Sequence, residues 1–114
     1  MNSEESAKIF AALAQETRLD VFRLLIKAGG KGLSSGEVAE RLSIRQNTMS
    51  TNLSILHNAK LVRRKRSGRM IHYSINMETI GILLTFLLEQ CCGGESDMVK
   101  DLVSSLQSGF SQSD

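Results

Sequence analysis

Two adjacent thiols, Cys91 and Cys92, close an apolar stretch and are followed by Gly93-Gly94. Neighbouring thiolates are soft donors, suited to thiophilic ions such as As(III) and Sb(III). The same pair could instead sense oxidants through a vicinal disulfide, a persulfide or a mixed disulfide. It could also be inert, since free cysteine is among the most buried residue types. Cys91 continues the spacing of Leu84, Leu87 and Leu88 and suits a core position. Cys92 lies about 100° further round a helix, so filling accounts for it less well. All three readings stay open on the residues alone.

A second group of residues carries a different chemistry. From Arg41 to Met77 the chain has eight bases, Arg41, Arg45, Lys60, Arg63, Arg64, Lys65, Arg66 and Arg69, and no acid. All 12 acidic residues lie outside that span, where only six bases remain, so the formal net charge of +2 conceals a strongly basic segment. Clustered Lys and Arg meet polyanions, because neutralising phosphates releases condensed counterions. Within the span, Gln46, Asn47, Thr48, Ser50, Thr51 and Ser54 form a run of short neutral side chains. A solvated helix face more often carries Glu and Lys, which are better helix formers. Short hydrogen-bonding groups suit base edges and phosphates, where acids would be repelled. A merely polar face is the alternative, and the acid-free setting favours duplex DNA.

The elements that must position these residues follow from periodicity. Residues 5–14 read as a short helix with Ala7, Phe10, Ala11 and Ala14 on one face and Ile9 and Leu13 beside them. A helix over about 17–28 carries Val21, Leu24, Leu25 and Ala28 at i, i+3, i+4, i+7 and stops at Gly29-Gly30. Ser34 and Glu37 fit a capping box opening a third helix, roughly 35–42. The turn Ser43-Ile44-Arg45 leads to a fourth helix over about 46–60, with Met49, Leu53 and Leu56 inward. Next comes a hairpin of 61–66 and 69–75 with Ser67-Gly68 at its tip. That tip sets Val62 opposite Tyr73 and Arg64 opposite Ile71, packs Val62, Ile71 and Tyr73 inward, and presents Arg66 and Arg69. A fifth helix over 77–92 is apolar around much of its circumference, which predicts cover from a second copy of the chain. An extra amphipathic helix could occupy 95–107, with a fraying end from Gln107.

With 114 residues and no proline, the chain has room for one mainly helical domain over 1–114 with one β-hairpin. There is no secretory pattern, and the run from Ile80 to Leu88 is about half the roughly 20 residues that a membrane span needs. A cytoplasmic protein without a membrane partner is the expectation. An enzyme is disfavoured, because the thiols lack a Cys-x-x-Cys arrangement and no Gly-rich nucleotide loop is present. A DNA-binding module that answers to no ligand and a protein-interaction module built from the same helices and hairpin are the nearer rivals. The acid-free span counts against the second.

Helix, helix, turn, helix and basic hairpin in that order make a winged helix-turn-helix over 34–60 and 61–75. The residues also resemble a family. Phe10-Ala-Ala-Leu-Ala-Gln-Glu-Thr-Arg-Leu19, Ser35-Gly-Glu-Val-Ala-Glu-Arg-Leu42, Gln46-Asn-Thr-Met-Ser50 with Leu53, and Leu61-Val62 through Arg66-Ser-Gly-Arg69 to Tyr73 are similar to ArsR-type (ArsR/SmtB) repressors. The resemblance covers roughly 6–92. It implies a homodimer that binds a palindromic operator and leaves it when an inducer binds, and the apolar circumference of 77–92 sets that helix, with 5–14, at the two-fold interface.

By position, the resemblance makes Gln46, Asn47, Thr48, Ser50 and Thr51 major-groove readers, and Arg66 and Arg69 wing-tip contacts. Ser54, Arg45 and Arg64 lie in the same span. Asn52 stands where the family often has histidine, and Arg45 where a small N-cap or proline is usual, so the operator sequence does not carry over. Half-sites about 34–36 Å apart are still expected. The third helix has no Cys-x-Cys, and His57 and His72 lie away from the last long helix, where zinc-sensing members hold their ligands. Some members end that helix in a Cys pair with a third cysteine six residues on. Here that position is Met98, a poorer ligand than a thiolate. The expected inducer is thus As(III) or Sb(III) on two thiolates, Cys91 and Cys92, completed by a small thiol, hydroxide or the other subunit. No cofactor is expected for DNA binding.

Overall fold

The computed structural model describes the backbone of residues 1–92 and 96–112, and the side chains of 1–89, 97, 98 and 100–106. Its elements are α1 (Ser3–Leu13), α2 (Glu16–Ala28), a 3-10 turn (Gly29–Lys31), β1 (Leu33–Ser34), α3 (Ser35–Leu42), α4 (Gln46–Asn58), β2 (Val62–Ser67), β3 (Met70–Ile75), α5 (Met77–Cys92) and α6 (Ser96–Gln112). Contacts divide the chain into two compact units, Met1–Ile80 and Gly81–Asp114. Apolar residues beyond Ile80 do not all find cover within one chain: Ile82, Leu84, Met98, Leu102 and Leu106 are exposed. No helix among the described residues is long and apolar enough to cross a membrane.

The first unit is built on one core. Val21 and Leu25 of α2, Val38 of α3, Met49, Leu53 and Leu56 of α4, and Leu61 are fully buried. Each such aliphatic side chain contributes about 1.5–3 kcal/mol through removal from water. The inward side of α1 is Ser6, Ile9 and Ala12, whereas Ala7, Phe10, Ala11 and Ala14 face out. Asn2 caps α1 and Gln15 caps α2, each accepting from a backbone N–H three residues on. The capping box is present, with the Glu37 N–H donating to Ser34 Oγ (3.2 Å) and the Ser34 N–H to Glu37 Oε1 (3.0 Å). Ser43 ends α3 in the left-handed region (φ 55°), which allows the short turn into α4.

The hairpin differs from its expected register. Ser67 pairs with Met70, so the tip is Gly68-Arg69 rather than Ser67-Gly68, and Val62 lies opposite Ile75 and Arg64 opposite Tyr73. Gly68 has φ 63° at the first turn position, a conformation that glycine adopts without strain and serine does not. Moving the tip by one residue shifts the pairing by two, so the faces of the strands are kept. Val62 is buried and Tyr73 half-buried, but Ile71, expected inside, is 37% exposed because it lies next to the tip, beyond the reach of the core. A third strand, β1, joins β3 and gives the sheet order β1-β3-β2. Before it, Gly32 has φ 68° and passes so close to the Tyr73 carbonyl that a Cβ would overlap it. At the other end, α6 extends to Gln112, beyond the 95–107 expected for an extra helix. Leu102 and Leu106, four residues apart, lie on one side of it and are exposed.

Candidate nucleic-acid interface

Helix α4 separates its residues by face. Met49, Asn52, Leu53 and Leu56 are buried, while Gln46, Asn47, Thr48, Ser50, Thr51 and Ser54 are all exposed. The first turn holds no acid, and Arg45 at the N-cap makes no side-chain capping bond. A helix start of this kind presents N–H groups and a positive dipole end, both favourable to a phosphate. Several polar groups are already oriented. Gln46 Nε2 donates to Ser35 Oγ (2.8 Å), tying the first residue of α4 to the start of α3. Asn47 Oδ1 accepts from the Thr48 N–H (2.8 Å), and Thr51 Oγ1 donates to the Asn47 carbonyl (3.2 Å).

The hairpin supplies charge. Arg63, Arg64, Lys65, Arg66 and Arg69 are all exposed. Strand alternation sets Arg64 and Arg66 on one face and Arg63 and Lys65 on the other, with Arg69 in the turn. Among the described residues the one salt bridge joins Arg63 to Glu78 of α5 (3.2 Å), with side chains 58% and 73% exposed. An exposed pair is worth only about 0–1 kcal/mol, so it restrains Arg63 weakly. Burial, then repulsion from Arg64, lowers the pKa of His57 and favours its neutral form. The pKa of Glu37 is lowered, first by its hydrogen bonds with the Ser34 backbone and side chain and to a lesser extent by His72 and Arg41.

The backbone of α5 reaches Cys92, but the Cys91 and Cys92 side chains lie outside the described residues. Among the described residues no group of three or more His, Cys, Asp or Glu could hold a metal ion.

Sequence reasoning passed over one polar cluster. Asn52 is only 7% exposed and sits on the Met49, Leu53, Leu56 stripe. Its Oδ1 accepts from Arg18 Nη1 (3.2 Å), and its Nδ2 donates to the Thr48 carbonyl (3.1 Å). A polar residue on an apolar stripe was the available signal, because a buried amide needs partners.

Residues 13–65 match the model of a helix-turn-helix domain. An uncharacterised HTH-type transcriptional regulator of Bacillus subtilis, YceK, is 36% identical over 83 residues, covering 73% of this chain and 82% of its own. A probable mercury resistance operon repressor of Streptomyces lividans is 26% identical over 98 residues, covering 86% of this chain and 74% of its own. Among solved structures, an ArsR-like transcriptional regulator from Rhodococcus sp. RHA1 superposes with a TM-score of 0.68 at 26% identity, covering 90% of this chain and 92% of that one. A homodimeric winged helix-turn-helix DNA-binding domain from Mycobacterium bovis gives a TM-score of 0.61 at 29% identity, with 82% of each chain covered.

Proposed function

Because the chain belongs to the ArsR-type winged helix-turn-helix family of DNA-binding transcriptional regulators, we propose that it is a homodimeric repressor whose α4 reads a palindromic operator. The observation that carries this reading is the exposed, acid-free surface formed by the outer face of α4 and the arginine-bearing hairpin. Gln46, Asn47, Thr48, Ser50, Thr51 and Ser54 contact base edges or the adjoining backbone. Arg45, Arg64, Arg66 and Arg69 neutralise phosphates or enter the minor groove. Dimerisation is supported by the outward apolar residues of α1 and α5 and by the homodimeric relative.

The inducer in this reading is a thiophilic ion, with As(III) or Sb(III) held by Cys91 and Cys92. Its support is the chemistry of two adjacent thiols and the likeness to a mercury operon repressor. Binding at the ends of the two α5 helices biases how the recognition helices are spaced, and a coupling of about 1–3 kcal/mol is typical of such switches. The test is release of a fluorescent operator duplex titrated with As(III), Sb(III), Zn(II), peroxide and persulfide, for wild type and the Cys91→Ser/Cys92→Ser variant. Wild type should release with As(III) or Sb(III) and the variant should stay bound. Release of the variant by As(III) would refute the site, and release of wild type by peroxide or persulfide alone would establish a redox sensor instead.

A further inference from the structure

Arg18 stands at the junction of three helices. Its Nε donates to the Ala12 carbonyl (2.5 Å) and its Nη2 to the Ala11 carbonyl (3.5 Å), both at the C-terminal end of α1. Its Nη1 donates to Asn52 Oδ1 on α4 (3.2 Å), and its backbone N–H to Gln15 Oε1 (2.9 Å) at the start of α2. Helix α1 has no basic residue in its own last turn, so this guanidinium is the cation that meets its negative dipole end. Asn52 passes the connection on, since its Nδ2 donates to the Thr48 carbonyl (3.1 Å) in the exposed first half of α4.

The position of Asn52 is chemically expensive. It is 7% exposed among Met49, Leu53 and Leu56, where an aliphatic side chain would contribute more through burial. An amide there fixes direction instead: its Oδ1 takes one directional hydrogen bond from Arg18 Nη1, whereas an aliphatic contact has no preferred angle. The two ends of the connection also matter separately. The outward face of α1 carries Ala7, Phe10, Ala11 and Ala14, the residues assigned above to the dimer. The outward face of α4 carries the proposed base readers.

We propose that Arg18 and Asn52 are positioning residues that lock the recognition helix to the dimerisation helix, and so set the half-site spacing that the dimer accepts. This rests on the repressor reading. Neither side chain needs to touch DNA; each acts through the angle and height of α4 relative to α1.

The experiment uses the full chain and a palindromic duplex selected in vitro by the wild-type protein. Three duplexes are compared: native spacing, half-sites moved by one base pair, and a single half-site. The proteins are wild type, Asn52→Ala and Arg18→Lys, which keeps a charge beside the α1 carbonyls but lacks the fork that also reaches Asn52. Melting temperature and sedimentation report folding and dimerisation. In both variants the preference for native over shifted spacing should shrink about tenfold, the scale of losing a hydrogen bond to a charged group, while single half-site affinity changes less than about twofold. Unchanged spacing preference in a folded, dimeric variant would overturn the proposal. So would a loss that merely tracks half-site affinity or melting temperature, which is what a purely structural role predicts. If wild type selects no duplex at all, the repressor reading itself fails, a result distinct from either of these.

Discussion

At the hairpin tip, Arg69 occupies the second turn position beside Gly68, exposed and clear of the strand ladder. A side chain there can reach a phosphate without disturbing the sheet, so its replacement separates binding from folding. Each neutralised phosphate contributes about 0.9 to the slope of log affinity against log salt, so Arg69→Ala should flatten the slope of a dimer by roughly 2. Ser50→Ala, by contrast, should alter the preferred base pairs and leave the slope alone. Binding isotherms at four or five salt concentrations check both outcomes, and an unchanged slope for Arg69→Ala would remove it from the contact surface. At this scale the sequence was explicit about charge and silent about Arg18. Its role depends on carbonyls six and seven residues back and on an amide 34 residues away.

Helix α3 begins at a reciprocal cap, and its start also holds Ser35 against Gln46 of α4. Loss of the Ser34 hydroxyl should cost about 1 kcal/mol, and Ser34→Ala should melt roughly 4–8 °C lower. The Glu37 carboxyl is held below its ordinary value by the Ser34 backbone N–H, then by the Ser34 side chain. A depressed carboxyl stabilises the fold fully above its ordinary value and ceases to do so as pH falls through the folded one. Glu37→Gln should therefore be less stable than wild type at pH 7, with the gap closing in acid, as urea melts at a series of pH values would show. This cap was legible because its signature lies within four residues. The hairpin register was not, since Ser67-Gly68 and Gly68-Arg69 both place glycine in a two-residue turn, and only the sign of φ at each position decides between them. Strand β1 escaped notice because two residues carry no periodicity.

For the whole molecule, assembly turns on apolar residues left outside the core. Phe10 on α1 is 43% exposed and Leu84 on α5 is 52% exposed. Phe10 is not among the buried residues of the first unit's core, so Phe10→Glu should keep its helical circular dichroism while sedimenting as a monomer. Its affinity for a palindrome should fall to that for one half-site. A Phe10→Glu protein that remained dimeric would move the interface away from α1.

By itself, the sequence determined the order of the helices and the hairpin, the acid-free basic span and the neutral face of α4. These rest on composition and on periods of two or 3.6 residues, which act locally. Only the tertiary structure decided that the tip is Gly68-Arg69, that a third strand pairs with β3, and that Arg18 and Asn52 join α1 to α4. Those features depend on backbone angles and on contacts between residues far apart in the chain. A linear pattern records that a polar residue interrupts an apolar stripe; the fold alone supplies the partner that makes its burial tolerable.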